Sequence, residues 1–183
     1  MNWDELESAC CSCTKCAIGK KRTNCVFGCG NKNADIMFIG EAPGQSEDEQ
    51  GIPFVGKAGQ HFNKFLEALG VERDDVYIAN ILKCRPEGNR DPLPEEQDNC
   101  IDFLREQVRL VQPRMIVCLG RISAMRLINS DFKITREHGI FFKKGGFTVT
   151  AVYHPAALLR DPSKNKDMYL DLKKAVTFIK NLD

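Results

Sequence analysis

The sequence predicts an α/β protein in which helices cover a mostly parallel sheet, and three observations carry that prediction. Four short, apolar, β-branched runs read as strands. Helical patterns fall between those runs rather than in a separate block, as crossover connections between parallel strands require. Three of the runs lead straight into unusual polar segments, and ligands of such sheets bind outside the carboxyl ends of the strands. One cleft is expected there.

The strand runs are residues 35–40, 76–81, 115–120 and 148–153. Phe62, Phe65, Leu66 and Leu69 recur at helical spacing, with Gly70 as a stop. Residues 94–112 carry Ile101, Leu104, Val108 and Val111 on one helical face, and Pro94 suits a first turn. Shorter helices are expected over 122–128 and 168–180. Phe141-Phe142 and Thr148-Val149 flank Lys143-Lys144-Gly145-Gly146, a hairpin pattern. There is no internal repeat and no low-complexity tract, and 183 residues are enough for one domain with a proper core.

A content of 43% hydrophobic and 28% charged residues is that of a globular protein rather than a disordered or fibrous one. The opening Met1-Asn2-Trp3-Asp4-Glu5-Leu6-Glu7 lacks a basic head followed by an apolar stretch, so no secretory signal is expected. No run approaches the roughly 18 apolar residues of a membrane span. A cytoplasmic protein, most simply a monomer with no membrane partner, is the expectation, and there nine cysteines favour thiols and metal ligation over disulfides. The net charge of +1 gives no global field for a polyanion. Local basic groups remain: Lys20-Lys21-Arg22, Lys83 with Arg85 and Arg90, and Arg160 with Lys164 and Lys166. Each is ordinarily solvated surface, although a small basic face binds phosphates even when total charge is near zero.

Cys13 and Cys16 form a Cys-x2-Cys pair, and Cys84 and Cys100 follow much later. Four such thiols suit zinc or an iron–sulfur cluster. Cys13 and Cys16 with Cys25 and Cys29 make a rival, more local set of the kind zinc favours. Cys118, inside an apolar strand, reads as a small buried residue.

Gly40-Glu41-Ala42-Pro43-Gly44 follows a strand and supplies a tight turn; alone it is a weak signal of a ligand. Gly51-Ile52-Pro53-Phe54-Val55-Gly56 sets an aromatic among glycines, where a ring is core by default and a stacking face if it lines a cleft. His154 ends a strand before Pro155-Ala156-Ala157-Leu158-Leu159-Arg160. A structural histidine is the ordinary reading, and the leucines beside Arg160 offer an apolar wedge with a phosphate anchor.

Together these segments, with Lys57-Ala58-Gly59, Asn80-Ile81-Leu82-Lys83-Cys84-Arg85-Pro86 and Asn89-Arg90, resemble the uracil-DNA glycosylase superfamily, and most closely its iron–sulfur-containing family 4. The likeness runs in order over nearly the whole chain. It implies a three-layer α/β/α fold around a four-stranded, mostly parallel sheet, hydrolytic removal of uracil from DNA, and a [4Fe–4S] cluster held by Cys13, Cys16, Cys84 and Cys100. Such a cluster would tie the N-terminal segment to the middle of the fold. Cys10, Cys11, Cys25 and Cys29 fall outside the family pattern. The Arg-rich insert that marks a covalently trapped branch is missing after Cys84.

On this resemblance, Phe54 stacks on the flipped base, Asn80 reads its edge, and His154 donates to uracil O2 as negative charge collects there. Ala42 occupies the position at which family 1 enzymes carry an Asp. Glu41 and Glu47 are therefore the carboxylates expected to orient water, with Asn89 a weaker candidate. Leu158 or Leu159 is expected to wedge into DNA, with Arg160, Lys83 and Arg85 on its backbone. The rival readings are a glycosylase for other deaminated bases and a non-catalytic, metal-stabilised DNA-binding module.

Overall fold

The computed structural model describes residues 1–182. In chain order its elements are α1 (Trp3–Cys11), α2 (Ala17–Lys21), β1 (Cys29–Gly30), β2 (Ile36–Gly40), α3 (Gln45–Gln50), α4 (Lys57–Ala68), β3 (Tyr77–Asn80), α5 (Pro94–Val111), β4 (Met115–Leu119), α6 (Arg121–Leu127), α7 (Ile134–Glu137), β5 (Phe142–Lys144), β6 (Phe147–Val152), α8 (Pro155–Arg160) and α9 (Asn165–Lys180). Short 3₁₀ turns lie at Arg73–Asp75, Glu87–Asn89 and Pro162–Lys164. No helix among the described residues is long and apolar enough to cross a membrane.

The four runs expected to be strands form the centre of the sheet, parallel and in the spatial order β3-β2-β4-β6. The described sheet has six strands rather than the four implied by resemblance, because two short antiparallel strands close its edges. β5 pairs with β6 as the expected hairpin. β1 pairs with β3 and is only two residues long, too short to show a period-two pattern. Gly30 permits that pairing: at φ +117°, a Cβ there would stand 2.0 Å from the Val76 carbonyl oxygen.

Alternation along the strands sends side chains into two separate cores. Met37, Ile39, Ala79, Ile116, Cys118 and Ala151 pack with Ile101, Leu104 and Val111 of α5 and Ala124 of α6. Ile36, Phe38, Ile78, Met115, Val117 and Val152 pack with Phe62, Phe65 and Leu66 of α4 and with Met168, Leu172, Val176 and Ile179 of α9. Both faces are thus covered by helices, the α/β/α layering that strands buried on both sides demand. α1 begins at a capping box, in which Asn2 Oδ1 accepts from the Glu5 N–H and the Glu5 carboxylate from the Asn2 N–H. Its Leu6 and Cys10 make a third, small cluster with Phe27.

Candidate active site

Because the four central strands point the same way, their carboxyl ends share one edge, and a cleft of about 540 Å³ opens there. That volume lies within the roughly 300–1,000 Å³ of small-molecule sites. Each parallel strand contributes to its wall: Glu41 and Ala42 after β2, Asn80 from β3, Gly120 after β4, and Tyr153 with His154 after β6. Glu47, Phe54, Asn89 and Arg160 complete the set of expected residues that line it. Asp91, Arg121, Ile134 and Tyr153 also line it and were not singled out from the sequence; Arg121 and Asp91 form an ion pair at 2.7 Å.

Asn80 is 2% exposed, and its Oδ1 is a buried acceptor without a partner. An unpaired buried acceptor costs about 1–3 kcal/mol, a cost that a ligand donor would remove. Phe54 lies beside it, with its ring centroid 5.7 Å from that of His154 and 5.8 Å from that of Phe62. The Phe54 backbone has φ +54°, rare for a residue with a side chain. Strain of this kind costs about 1–3 kcal/mol and collects at functional sites.

His154 caps α8: its Nδ1 accepts the Ala156 N–H at 3.0 Å. This bond leaves the proton of the neutral ring on Nε2. Burial pushes the imidazole pKa down to about 4; the Arg160 guanidinium adds to the depression and Glu47 opposes it. The ring is therefore neutral at pH 7, with one N–H to donate.

Burial raises the Glu41 pKa, with Asp91 adding to the shift; the Ile122 N–H, Arg121 and Arg160 oppose it. Glu41 Oε1 accepts that Ile122 N–H at 3.3 Å. Gly120, at φ +98°, leaves room for this carboxylate, since a Cβ there would stand 2.6 Å from Glu41 Oε1 and 3.0 Å from the His154 Cβ. Glu47 spends Oε1 on the Val55 and Gly56 N–H groups, both at 3.1 Å, and Oε2 accepts no hydrogen bond from the described residues. Asn89, at φ +56°, has its Oδ1 accepting from Arg85 Nε at 2.7 Å, which leaves that oxygen a second lone pair.

Two of the expected DNA-facing side chains are turned inward. Lys83 is 1% exposed; its ammonium donates to the Asn80 carbonyl at 2.9 Å and to Gln107 Oε1 at 2.6 Å, and burial lowers its pKa. Such a lysine does not reach a phosphate. Leu158 is 1% exposed and belongs to the core between sheet and α9, whereas Leu159 is 47% exposed. Arg85 is half-buried and holds Asn89, and Arg90 forms a two-bond ion pair with Glu96. Arg160 is exposed at the rim of the cleft.

Cys13, Cys16, Cys84 and Cys100 line one recess between the N-terminal segment and α5, and Cys10 lines it with them. Donors point at the sulfurs: Arg22 Nη1 lies 3.0 Å from Cys84 Sγ, and Asn99 Nδ2 lies 3.5 Å from Cys16 Sγ. A Cβ on Gly19 would press against the Cys13 carbonyl at 3.2 Å and stand 3.9 Å from Cys84 Sγ. Among the described residues no three metal-binding side chains close on a single-ion site. The recess instead gathers several thiols on one lining, with a guanidinium and an amide donating to sulfur, a donor set whose chemistry suits a group that takes several thiolates at once. The rival local set is not assembled: Cys25 Sγ lies 3.7 Å from Cys10 Sγ, Cys29 Sγ lies 3.7 Å from Arg73, and neither Cys25 nor Cys29 lines the recess. Cys118 is fully buried, which pushes its thiol up to about 12.

Comparison with known proteins gives concordant results. A family model described as the Uracil DNA glycosylase superfamily matches residues 27–176. A Type-4 uracil-DNA glycosylase of Archaeoglobus fulgidus is 44% identical over 179 residues, covering 93% of this chain and 90% of that protein. A Type-4 uracil-DNA glycosylase of Thermotoga maritima is 41% identical, covering 92% and 90% respectively. A Type-5 uracil-DNA glycosylase of Pyrobaculum aerophilum is 36% identical over a shorter stretch, 70% of this chain.

Proposed function

The chain belongs to the uracil DNA glycosylase superfamily, and from that premise we infer that it is a uracil-DNA glycosylase, hydrolysing the N-glycosidic bond of uracil in DNA to leave an abasic site for base excision repair. The observation within the cleft that best supports this reading is the unpartnered Oδ1 of buried Asn80 beside the Phe54 ring and the neutral His154 imidazole.

The glycosidic bond is out of reach inside a duplex, so the nucleotide must leave the stack, at a cost of a few kcal/mol. Leu159 fills the space left behind, and Arg160 steadies a flanking phosphate. Phe54 stacks on the extruded ring, a contact worth about 1–3 kcal/mol. Asn80 accepts from uracil N3–H through Oδ1 and donates to O4 through its NH2. Cytosine presents the opposite pattern and would leave both groups mismatched.

As the bond to the sugar breaks, negative charge gathers on O2, where His154 Nε2–H donates. Because the ring is already neutral and its tautomer set by Ala156, no proton rearrangement precedes the donation. The electron-poor sugar then needs an anion and a positioned water. Glu47, with Oε1 fixed by two backbone N–H groups and Oε2 free, is the better placed of the two carboxylates. Glu41, whose burial favours its protonated form, shapes the wall with Gly120.

Cys13, Cys16, Cys84 and Cys100 would hold a [4Fe–4S] cluster. Hydrolysis consumes no electrons, so what such a group would supply is a cross-link between the N-terminal segment and the 84–100 stretch. The chain then acts as one monomeric domain on uracil-containing DNA. Iron and acid-labile sulfide analysis of anaerobically purified protein tests the centre; stoichiometric zinc in colourless protein contradicts it. The activity is tested by incubating the protein with single- and double-stranded oligonucleotides carrying one uracil. Alkali-labile abasic sites at the uracil are expected, and binding without such sites defeats the enzyme reading.

A further inference from the structure

Arg73 stands behind the cleft and does not line it. It lies in the 3₁₀ turn that leads into β3, half-buried, and it makes no ion pair among the described residues. Its guanidinium donates to three oxygens without formal charge and, through Nη2, to Cys29 Sγ at 3.7 Å. Nη1 donates to the Phe54 carbonyl at 2.9 Å and to Asn63 Oδ1 of α4 at 3.1 Å, and Nη2 donates to the Pro53 carbonyl. Two consecutive carbonyls of one loop, gripped by a single planar fork, fix the orientation of the peptide between them.

That peptide is the one that needs fixing. Phe54 is in the left-handed region at φ +54°, which glycine adopts without penalty and an aromatic residue does not. A glycine there would relieve the backbone but remove the ring. The other contacts to this segment act on different groups. Glu47 holds the Val55 and Gly56 N–H groups, and the Phe54 carbonyl lies so close to α4 that a Cβ on Gly59 would stand 2.0 Å from it. Among the described residues, Arg73 is the only side chain donating to the Phe54 carbonyl.

We propose that Arg73 is a positioning residue for base recognition: it holds Phe54 in its left-handed conformation, so that the ring face is set for the extruded pyrimidine before the base arrives. The proposal rests on the uracil reading given above, and it assigns Arg73 no contact with DNA or with the reacting atoms.

Arg73→Met keeps the apolar stem and removes every donor, while Arg73→Lys restores part of the donation. The expected result is that Arg73→Met lowers kcat/KM on uracil DNA about tenfold, as the loss of charge-assisted hydrogen bonds implies, and weakens inhibition by free uracil in proportion. Arg73→Lys recovers part of both. In a Phe54→Ala background, Arg73→Met costs less than about twofold, because the ring it positions is gone. An equal loss with and without the ring, or no loss in either background, overturns the proposal. Should Arg73→Met fail to fold, amide exchange at Val55 and Gly56 in Arg73→Lys decides: faster exchange than wild type supports the clamp, and unchanged exchange overturns it. A wild type that makes no abasic sites defeats the glycosylase reading instead, and the amide exchange still tests the clamp.

Discussion

A methyl group on Gly40 would stand 2.4 Å from Asn80 Oδ1 and 2.6 Å from Phe54 Cζ. The last residue of β2 is therefore bare because the Asn80 amide and the Phe54 ring both occupy the space a side chain would take. Gly40→Ala is expected to lower kcat/KM on uracil DNA by far more than its effect on Tm would suggest; equal activity at equal Tm would show that these contacts do not shape the pocket. His154 makes a second prediction. Its folded pKa of about 4 lies below the unfolded value of about 6.5. Between those values the unfolded chain binds the extra proton, so stability falls as pH drops from about 6.5 toward 4. Thermal melts from pH 7 to pH 4.5 should show a smaller decline for His154→Gln than for wild type, and parallel curves would contradict the assigned environment. At this scale the sequence was readable where chemistry is unusual for its position, as with a histidine at a strand end or an asparagine closing an apolar run. It was misleading for Lys83. A lysine between an apolar strand and Arg85 reads as a surface cation, and only the fold reveals Asn80 O and Gln107 Oε1 waiting for its ammonium.

At the scale of elements, β3 and α5 are joined by a buried polar chain. Lys83 Nζ donates to Gln107 Oε1, and Gln107 Nε2 donates to the Phe27 carbonyl at 2.8 Å and contacts the Tyr77 hydroxyl at 3.1 Å. Gln107 is fully buried on a helix that also carries Cys100, so it braces the strand ending at Asn80 against the thiol recess. Gln107→Leu removes one of the two acceptors of the Lys83 ammonium and the amide donor to the Phe27 carbonyl. It should destabilise the protein by at least about 1–3 kcal/mol, read as a Tm lowered by several degrees; an unchanged Tm would mean that the network is relieved by water. Long amphipathic helices such as α4, α5 and α9 were legible because their apolar faces repeat with helical period. α3, with the sequence Gln45-Ser46-Glu47-Asp48-Glu49-Gln50, carries no apolar residue and gave no such signal. It is held by polar bonds: Asp48 Oδ1 accepts from the Thr23 and Asn24 N–H groups, and Glu47 grips the Phe54 loop. Arg73 was invisible for a related reason, since its two partners in the Phe54 loop are backbone carbonyls, which leave no mark on sequence pattern.

For the whole molecule, the parallel centre of the sheet determines the rest. Four strands running the same way bring Glu41, Asn80, Gly120 and His154 to one edge although they span more than half the chain. A single cleft followed from the strand–helix alternation together with the polar segments after three of the strands, although Gly120 was not among them. The edge strands, the inward turn of Leu158 and the bracing behind Phe54 depend on packing between distant segments, which no local window contains. The claim on which the account stands is that the neutral imidazole at this edge stabilises the departing base. The most direct measurement is the single-turnover rate of uracil release by wild type and His154→Ala, with affinity for the same DNA measured in parallel. Loss of one such donor predicts a rate lower by about 10²–10³ with affinity little changed. An unaltered rate, or a loss that merely follows weakened binding, would contradict it.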